Sequence, residues 1–289
     1  MKRIAYLGPE GTVSEESARH FFREEDGLLI PFKQISDVFQ ATVREETDYS
    51  VIPIENTIEG SVSIHLDWLI HKVNLPIQAE WVYPSVQHLI AHPEDASEGA
   101  LSGIRRVISH PVAIAQCREF LDSQLPGIEC EHVSSTAEGV RIVADNPGKG
   151  WAAIGTRLAA QKFGLRLLRE NIMDHANNYT RFLLIGRSPV VSQPDVPRKT
   201  SIVVTLPEDY PGALHQVLSA FAWRRLNLSR IESRPTKQKL GNYYFVIDIE
   251  AGMDTVLLPA AISEIEAIGC QVRILGSYPS FSYESGGAC

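Results

Sequence analysis

The 289-residue chain has no run of roughly 18 uninterrupted apolar residues, so no helix fit to cross a bilayer is expected. It has no block of lysines or arginines, and its formal net charge is −8 at pH 7, which argues against nucleic acid as a partner. Cysteine is scarce: Cys117, Cys130, Cys270 and Cys289 show neither metal-type spacing nor the density of a disulfide framework. Buried or free thiols in a reducing cytoplasm are expected instead, with no metal site. The start, Met1-Lys2-Arg3-Ile4, lacks an apolar signal region and leads straight into a strand. What is there suits a globular protein, with 44% hydrophobic and 21% charged residues and enough chain for two or three cores. An acidic protein can still bind an anion through a few local arginines and backbone amides.

The first two-thirds alternates strand and helix signals. Ile4–Leu7 is a short apolar strand ending in Gly8-Pro9-Glu10-Gly11, and a helix is expected from near Ser14, with Glu15 and Glu16 in its first turn. Ser36-Asp37 opens a second helix, Ser50–Ile54 is the next strand, and a helix covers about Val62 to His71. A second set begins with the alternating segment Gln78 to Ala91. Strands follow at Arg106–Ile108, Glu129–Val133 and Trp151–Ile154, each trailed by a helix: Ala113–Leu125, Ala137–Ala144 and Leu158–Phe163. This order predicts mostly parallel sheets with helices on both faces, in two lobes with a cleft between them. The chain then returns to the first lobe near residue 178. Ser188 to Lys199, with Pro189, Pro194 and Pro197, reads as a linker. From Ser201 to Leu275 the order is βαββαβ, the ferredoxin-like arrangement. The expected domains are therefore 1–187 (lobes of about 1–76 plus 178–187, and 77–177), a linker at 188–199, a ferredoxin-like unit at 200–280 and a flexible tail at 281–289.

Asn177-Asn178-Tyr179-Thr180-Arg181-Phe182 places two amides, a hydroxyl and a guanidinium ahead of the apolar run Phe182–Ile185. Polar groups at the mouth of a buried strand are costly unless something there needs hydrogen bonds. Arg181 offers a planar fork for a carboxylate, and Thr180 one hydroxyl that can donate. Together they suggest a small anionic substrate that loses or moves an oxygen; an ordinary turn with a surface arginine fits the residues equally. Gly8 to Thr12 joins a strand to a helix, where bare amides can hold a carboxylate, although a tight turn capped by Thr12 or Ser14 fits better on local grounds. Asn56 lies just past a strand's carboxyl end, where open α/β sheets bind ligands. Glu55, Thr57, Glu59, Gly60 and Ser61 surround it in a dense polar loop, and an Asx turn is the competing account. Ser109-His110-Pro111 is the equivalent loop of the second lobe, from which Ser109 and Gln116 can reach a substrate oxygen. A Ser109–His110 nucleophile is not expected, because adjacent residues do not face each other in that geometry and no acidic orienter is evident. In the last unit, Pro211-Gly212-Ala213-Leu214 opens a helix whose amides can meet a carboxylate, and Glu232-Ser233-Arg234 ends a strand.

These segments in this order resemble the prephenate dehydratase family. The resemblance is carried by Gly8–Thr12, Ile54–Val62, Ser109–Pro111 and Asn178–Phe182, with Gly212-Ala213-Leu214 and Glu232-Ser233-Arg234-Pro235 resembling a regulatory domain of the ACT type. It covers Arg3 to about Tyr278. It implies a two-lobed catalytic domain similar to periplasmic binding proteins, followed by a ferredoxin-like ACT domain. The implied reaction is decarboxylating dehydration of prephenate to phenylpyruvate, carbon dioxide and water, with feedback inhibition by L-phenylalanine in a homodimer or homotetramer. Some members begin with a fused chorismate mutase bundle. Here the first strand starts at Arg3, so a monofunctional chain is expected. Val112 and Val13 depart from the family pattern, which has glutamine and an aromatic there.

The implied roles are catalysis by Thr180, Asn56 and Ser109, and substrate contacts from Gly11, Thr12, Glu59, Gly60, Ser61, Gln116, Asn178, Arg181 and Phe182. Effector contacts are expected from Pro211, Gly212, Ala213, Leu214, Glu232, Ser233 and Arg234. Loss of carbon dioxide and hydroxide makes the ring aromatic, so no cofactor or covalent intermediate is expected. Two alternatives stay open: dehydration of arogenate, the amino analogue, and a cytoplasmic sensor that binds small acids without chemistry.

Overall fold

The computed structural model describes residues 1–23, 27–95, 101–190, 195–208, 210–236 and 243–283. Cys289, most of the expected tail and residues 191–194 of the expected linker lie outside them. In chain order the described elements begin β1 (Lys2–Leu7), α1 (Val13–Phe21), β2 (Gly27–Phe32), α2 (Ile35–Val43), β3 (Tyr49–Asn56), β4 (Gly60–Ser61), α3 (Ser63–His71) and β5 (Ile77–Pro84). They continue β6 (His88–Ala91), β7 (Arg106–Ser109), α4 (Pro111–Ala115), α5 (Arg118–Gln124), β8 (Glu129–His132), α6 (Thr136–Ala144), β9 (Trp151–Gly155), α7 (Arg157–Lys162), β10 (Arg166–Arg169) and β11 (Tyr179–Gly186). The last are β12 (Arg198–Thr205), α8 (Ala213–Ala222), β13 (Leu228–Pro235), β14 (Tyr243–Ile249), α9 (Leu257–Ala267) and β15 (Gln271–Phe281).

Contacts divide the chain into two units. The first holds Met1–Val62, Val82–Phe182 and Tyr283; the second holds Ser63–Trp81 and Leu183–Ser282. In the first unit, β1 pairs in parallel with both β2 and β3, and the short β4 folds back on β3. A separate five-stranded sheet runs β10-β6-β9-β7-β8. Its β7 is parallel to β8 and β9, while β6 is antiparallel to β9 and β10, so this sheet is mixed. Apolar residues from alternate positions fill both of its faces: Leu89, Val107, Ala152 and Ile154 pack on the α4–α5 side, and Ile90, Ile108 and Ala153 on the α6–α7 side.

The second unit contains the βαββαβ order expected from the sequence. Its strands β12 to β15 form an antiparallel sheet in the order β13-β14-β12-β15, and β15 continues in parallel onto β5 through Ser280 and Phe281. Helices α8 and α9 cover one face, with Val217, Phe221, Leu258 and Ile265 packed on Ile202, Val204 and Ile247. The contact division differs from the expected boundaries, for α3 and most of β5 group with the C-terminal sheet. Buried Glu80 on β5 explains part of this, since it takes Lys199 Nζ at 2.7 Å and the Ser280 hydroxyl at 2.5 Å.

One expected helix is two. The segment Ala113–Leu125 breaks at Gln116-Cys117 into α4 and α5. Cys117 provides no side-chain cap; the Asp174 carboxylate does so instead, accepting from Glu119 N at 3.1 Å and Phe120 N at 3.4 Å, while Asp174 N donates to Gln116 O at 2.8 Å.

Candidate active site

The polar loop after β3 is held by its own asparagine. Ile58 N and Glu59 N both reach Asn56 Oδ1, at 2.9 and 3.1 Å. Backbone amides only donate, so the atom they meet is the amide oxygen, and Nδ2 is forced to the other side. There Nδ2 donates to Asn178 Oδ1 at 2.8 Å, Thr180 Oγ1 at 3.0 Å and Tyr179 O at 3.2 Å. Asn56 thus makes the Asx turn and, through the same amide, fixes the residues around Thr180. Thr57 ties the two segments further: its N donates to Tyr179 O at 2.9 Å, its hydroxyl to Asn177 O at 2.8 Å.

The network extends into the second sheet's helices. Asn178, almost fully buried, donates through Nδ2 to Gln116 Oε1 at 3.1 Å, and Gln116 Nε2 donates to Glu59 Oε1 at 3.4 Å. The amides of Asn56, Asn178 and Gln116 are therefore linked head to tail, each fixing the next one's orientation. Thr180 is 9% exposed, and its hydroxyl lies 2.7 Å from the buried Ser85 Oγ. Sequence reading missed Ser85; the only signal was Pro84 interrupting the alternating segment just before it. Arg181 is largely buried, with Nη1 3.5 Å from Glu55 Oε2. That separation is loose for an ion pair, and an arriving carboxylate can compete for the guanidinium.

Several expected contacts sit elsewhere. Ser109 is fully buried and donates to Ile154 O at 2.7 Å, so its hydroxyl hydrogen is committed to the sheet and joins neither Asn56 nor Thr180. His110 caps α4 through Nδ1, accepting from Val112 N at 3.3 Å. Phe182 is 1% exposed and belongs to the core. Gly11 and Thr12 form the capped turn: Thr12 Oγ1 accepts from Glu15 N at 3.4 Å, and Gly11 N donates to Glu15 Oε2 at 2.7 Å. The carboxylate at this helix start is thus the chain's own. Gly11 has φ +83, and a Cβ there would stand 2.9 Å from Ala159 Cβ, so only glycine lets the turn approach α7. Thr156 completes the junction by donating to Gly11 O at 2.7 Å. Gly60 and Ser61 form β4 against Asn56 and Glu55, and space beside Gly60 is open.

In the second unit Gly212 heads α8 with φ +94 and is exposed, with Ala213 buried next to it. Arg234, expected to contact an effector, already grips Asp67 of α3 with two nitrogens, at 2.9 and 3.0 Å. Glu232 pairs with Arg230 at 2.5 Å. Among the described residues no group of three or more His, Cys, Asp or Glu side chains is arranged to hold a metal ion, and no helix is long and apolar enough to cross a membrane.

Two known families match the chain, one after the other. The family described as prephenate dehydratase matches residues 4–190, and the ACT domain matches 200–268. This chain belongs to the prephenate dehydratase family. A relative named prephenate dehydratase from Bacillus subtilis (strain 168) is 40% identical over 289 residues, covering 96% of this chain and 99% of the relative. A relative named arogenate dehydratase 2, from Petunia hybrida, is 33% identical over 97% of this chain and 72% of its own length. The solved structure of prephenate dehydratase in complex with L-Phe from Arthrobacter aurescens superposes with a TM-score of 0.85 at 36% identity, covering 96% of this chain and 90% of that one. The fold is that of prephenate dehydratase, a mixed α/β catalytic region followed by an ACT domain.

Proposed function

We propose that this chain catalyses decarboxylating dehydration of prephenate to phenylpyruvate, under feedback inhibition by L-phenylalanine. The observation that carries the reading is the placement of Thr180 Oγ1, 3.0 Å from an Asn56 amide whose direction is set by two backbone donors. In the reaction the bond from ring to carboxylate breaks, its electron pair enters the ring, and the bond to the hydroxyl oxygen breaks on the far side. The oxygen departs as hydroxide and takes one proton from solvent to become water. Aromaticity drives the step, so the protein's task is to hold the ring and ease departure of that oxygen.

Thr180 is the group that donates to the departing oxygen. An unaided threonine is a poor acid, so its contribution is a hydrogen bond that strengthens in the transition state. Asn56 orients it, and Asn178 and Gln116 hold Asn56. Arg181 grips the pyruvyl carboxylate rather than the one that departs, since tight binding of the latter's charge would oppose loss of neutral carbon dioxide. Glu55 and Glu59 border the same loop, so a dianionic substrate enters against two carboxylates, and displacing Glu55 from Arg181 is part of binding. Ser109, occupied by Ile154 O, is withdrawn from the catalytic set.

The functional boundaries are read as 1–187 for catalysis, in two lobes akin to a binding protein, and 200–280 for regulation. The protein works as a cytoplasmic homodimer or homotetramer. Strand β13 supports this, for it ends the sheet of the second unit with Ile231 45% exposed, and an uncovered edge is a surface for pairing copies. The likeness to arogenate dehydratase 2 keeps arogenate as a second substrate. Purified protein is incubated in turn with prephenate and arogenate, and phenylpyruvate and phenylalanine are quantified, with and without added L-phenylalanine. The expected result is phenylpyruvate from prephenate, suppressed by L-phenylalanine. Turnover of arogenate alone would reassign the substrate, and turnover of neither would leave a binding protein.

A further inference from the structure

We infer that Ser85 is a positioning residue for the Thr180 hydroxyl, making it an obligate donor toward the departing oxygen; the inference rests on the catalytic reading of Thr180. A threonine hydroxyl has one hydrogen and two lone pairs. One lone pair of Thr180 Oγ1 is taken by Asn56 Nδ2, which can only donate, at 3.0 Å. Ser85 Oγ lies 2.7 Å from the same oxygen, and Thr180 is its one side-chain hydrogen-bond partner among the described residues. Ser85 is 7% exposed, so little water competes for its hydrogen. The placement is rigid because Ser85 N donates to Asn178 O at 2.8 Å, pinning the backbone of Ser85 to the hexapeptide.

Two arrangements of the hydrogens are possible. If Thr180 donates to Ser85, its hydrogen is spent inside the protein and the leaving oxygen gets nothing. If Ser85 donates to Thr180, both lone pairs of Oγ1 are filled and its hydrogen points at the remaining open direction. A bound substrate oxygen at that position selects the second arrangement, since it accepts the Thr180 hydrogen while Ser85 keeps its own acceptor. As the departing oxygen draws on that hydrogen, partial negative charge grows on Oγ1, and the Ser85 and Asn56 donors both stabilise it. These contacts strengthen only as the carbon–oxygen bond breaks, so Ser85 acts on turnover rather than on binding.

The test compares Ser85→Ala, Ser85→Cys and Thr180→Ala with the wild-type chain, measuring kcat and KM for prephenate and the thermal midpoint of each. Loss of one donor to a developing charge is expected to lower kcat of Ser85→Ala by about 10- to 100-fold with little change in KM. Ser85→Cys keeps the shape with a weak S–H donor and is expected to fall between the two. Ser85→Ala with wild-type kcat, or with a changed midpoint or KM alone, overturns the inference. The Thr180→Ala arm separates the two readings: near-wild-type turnover there defeats the role of Thr180 itself, whereas an inactive Thr180→Ala beside a fully active Ser85→Ala defeats only the role of Ser85.

Discussion

At the scale of single residues, Glu15 shows how the β1–α1 turn is kept in place. Burial pushes its carboxyl upward, but Lys162, the Gly11 amide and Arg19 together outweigh burial and hold it below the usual range. Lys162 Nζ lies 2.7 Å and Arg19 Nε 2.9 Å from Oε1, and Gly11 N 2.7 Å from Oε2. A depressed folded value means stability that is present above the unfolded pKa and lost as pH falls through the folded one. Glu15→Gln should therefore lower stability at neutral pH by about 2 kcal/mol, with the difference from wild type shrinking below about pH 4. Urea unfolding of both proteins across that range checks this; a difference that does not depend on pH would mean the carboxylate is not held by charge. Neighbouring Glu16 goes the other way, raised chiefly by burial, so the comparison must be between variants rather than within one titration.

Among secondary-structure elements, what the sequence displayed was periodicity and punctuation. Strands β1, β3, β7, β8 and β9 and helices α1, α2, α3, α6 and α7 fell close to where apolar spacing placed them, because each buries one face against a neighbour. The break between α4 and α5 was not legible, since its cause is Asp174, 55 residues along the chain from the Glu119 amide it accepts from. Strand β10, Arg166–Arg169, reads as a charged segment; it is a strand because β6 offers it an edge. The site divides the same way. Asn56, Asn178 and Thr180 announced themselves as polar groups beside buried strands and Gln116 as a polar group on the helix after Ser109, and the four do meet. Ser109 gave an identical signal, yet its hydroxyl serves Ile154 O. A hydroxyl's local sequence does not reveal which carbonyl lies opposite, and Ser85 escaped notice for that reason too.

Over the whole molecule, the C-terminal sheet is not a detachable appendage. Within the second unit, Arg234 holds Asp67 of α3, Arg273 donates to Ile70 O at 2.6 Å, and β15 pairs with β5 through Ser280 and Glu80. Removing Ser201 to Cys289 strips α3 and β5 of these partners and leaves Asp67 without its guanidinium, a costly loss for a charge this buried. The shortened chain should melt at least about 5 °C below the full one by circular dichroism. Equal midpoints would show that the catalytic region needs none of these contacts. Along the chain, α3 starts seven residues after Asn56 and carries the partner of Arg234. Inhibition by L-phenylalanine requires the effector to bind one arrangement of the chain more tightly than another.

The central claim is that the Thr180 hydroxyl, aimed by Asn56, eases departure of the substrate's oxygen, and the steady-state kinetics of Thr180→Ala with prephenate test it most directly. The account predicts kcat reduced by about a hundredfold, the scale of one lost transition-state donor, with KM changed no more than about twofold. A kcat equal to that of the wild type would contradict it.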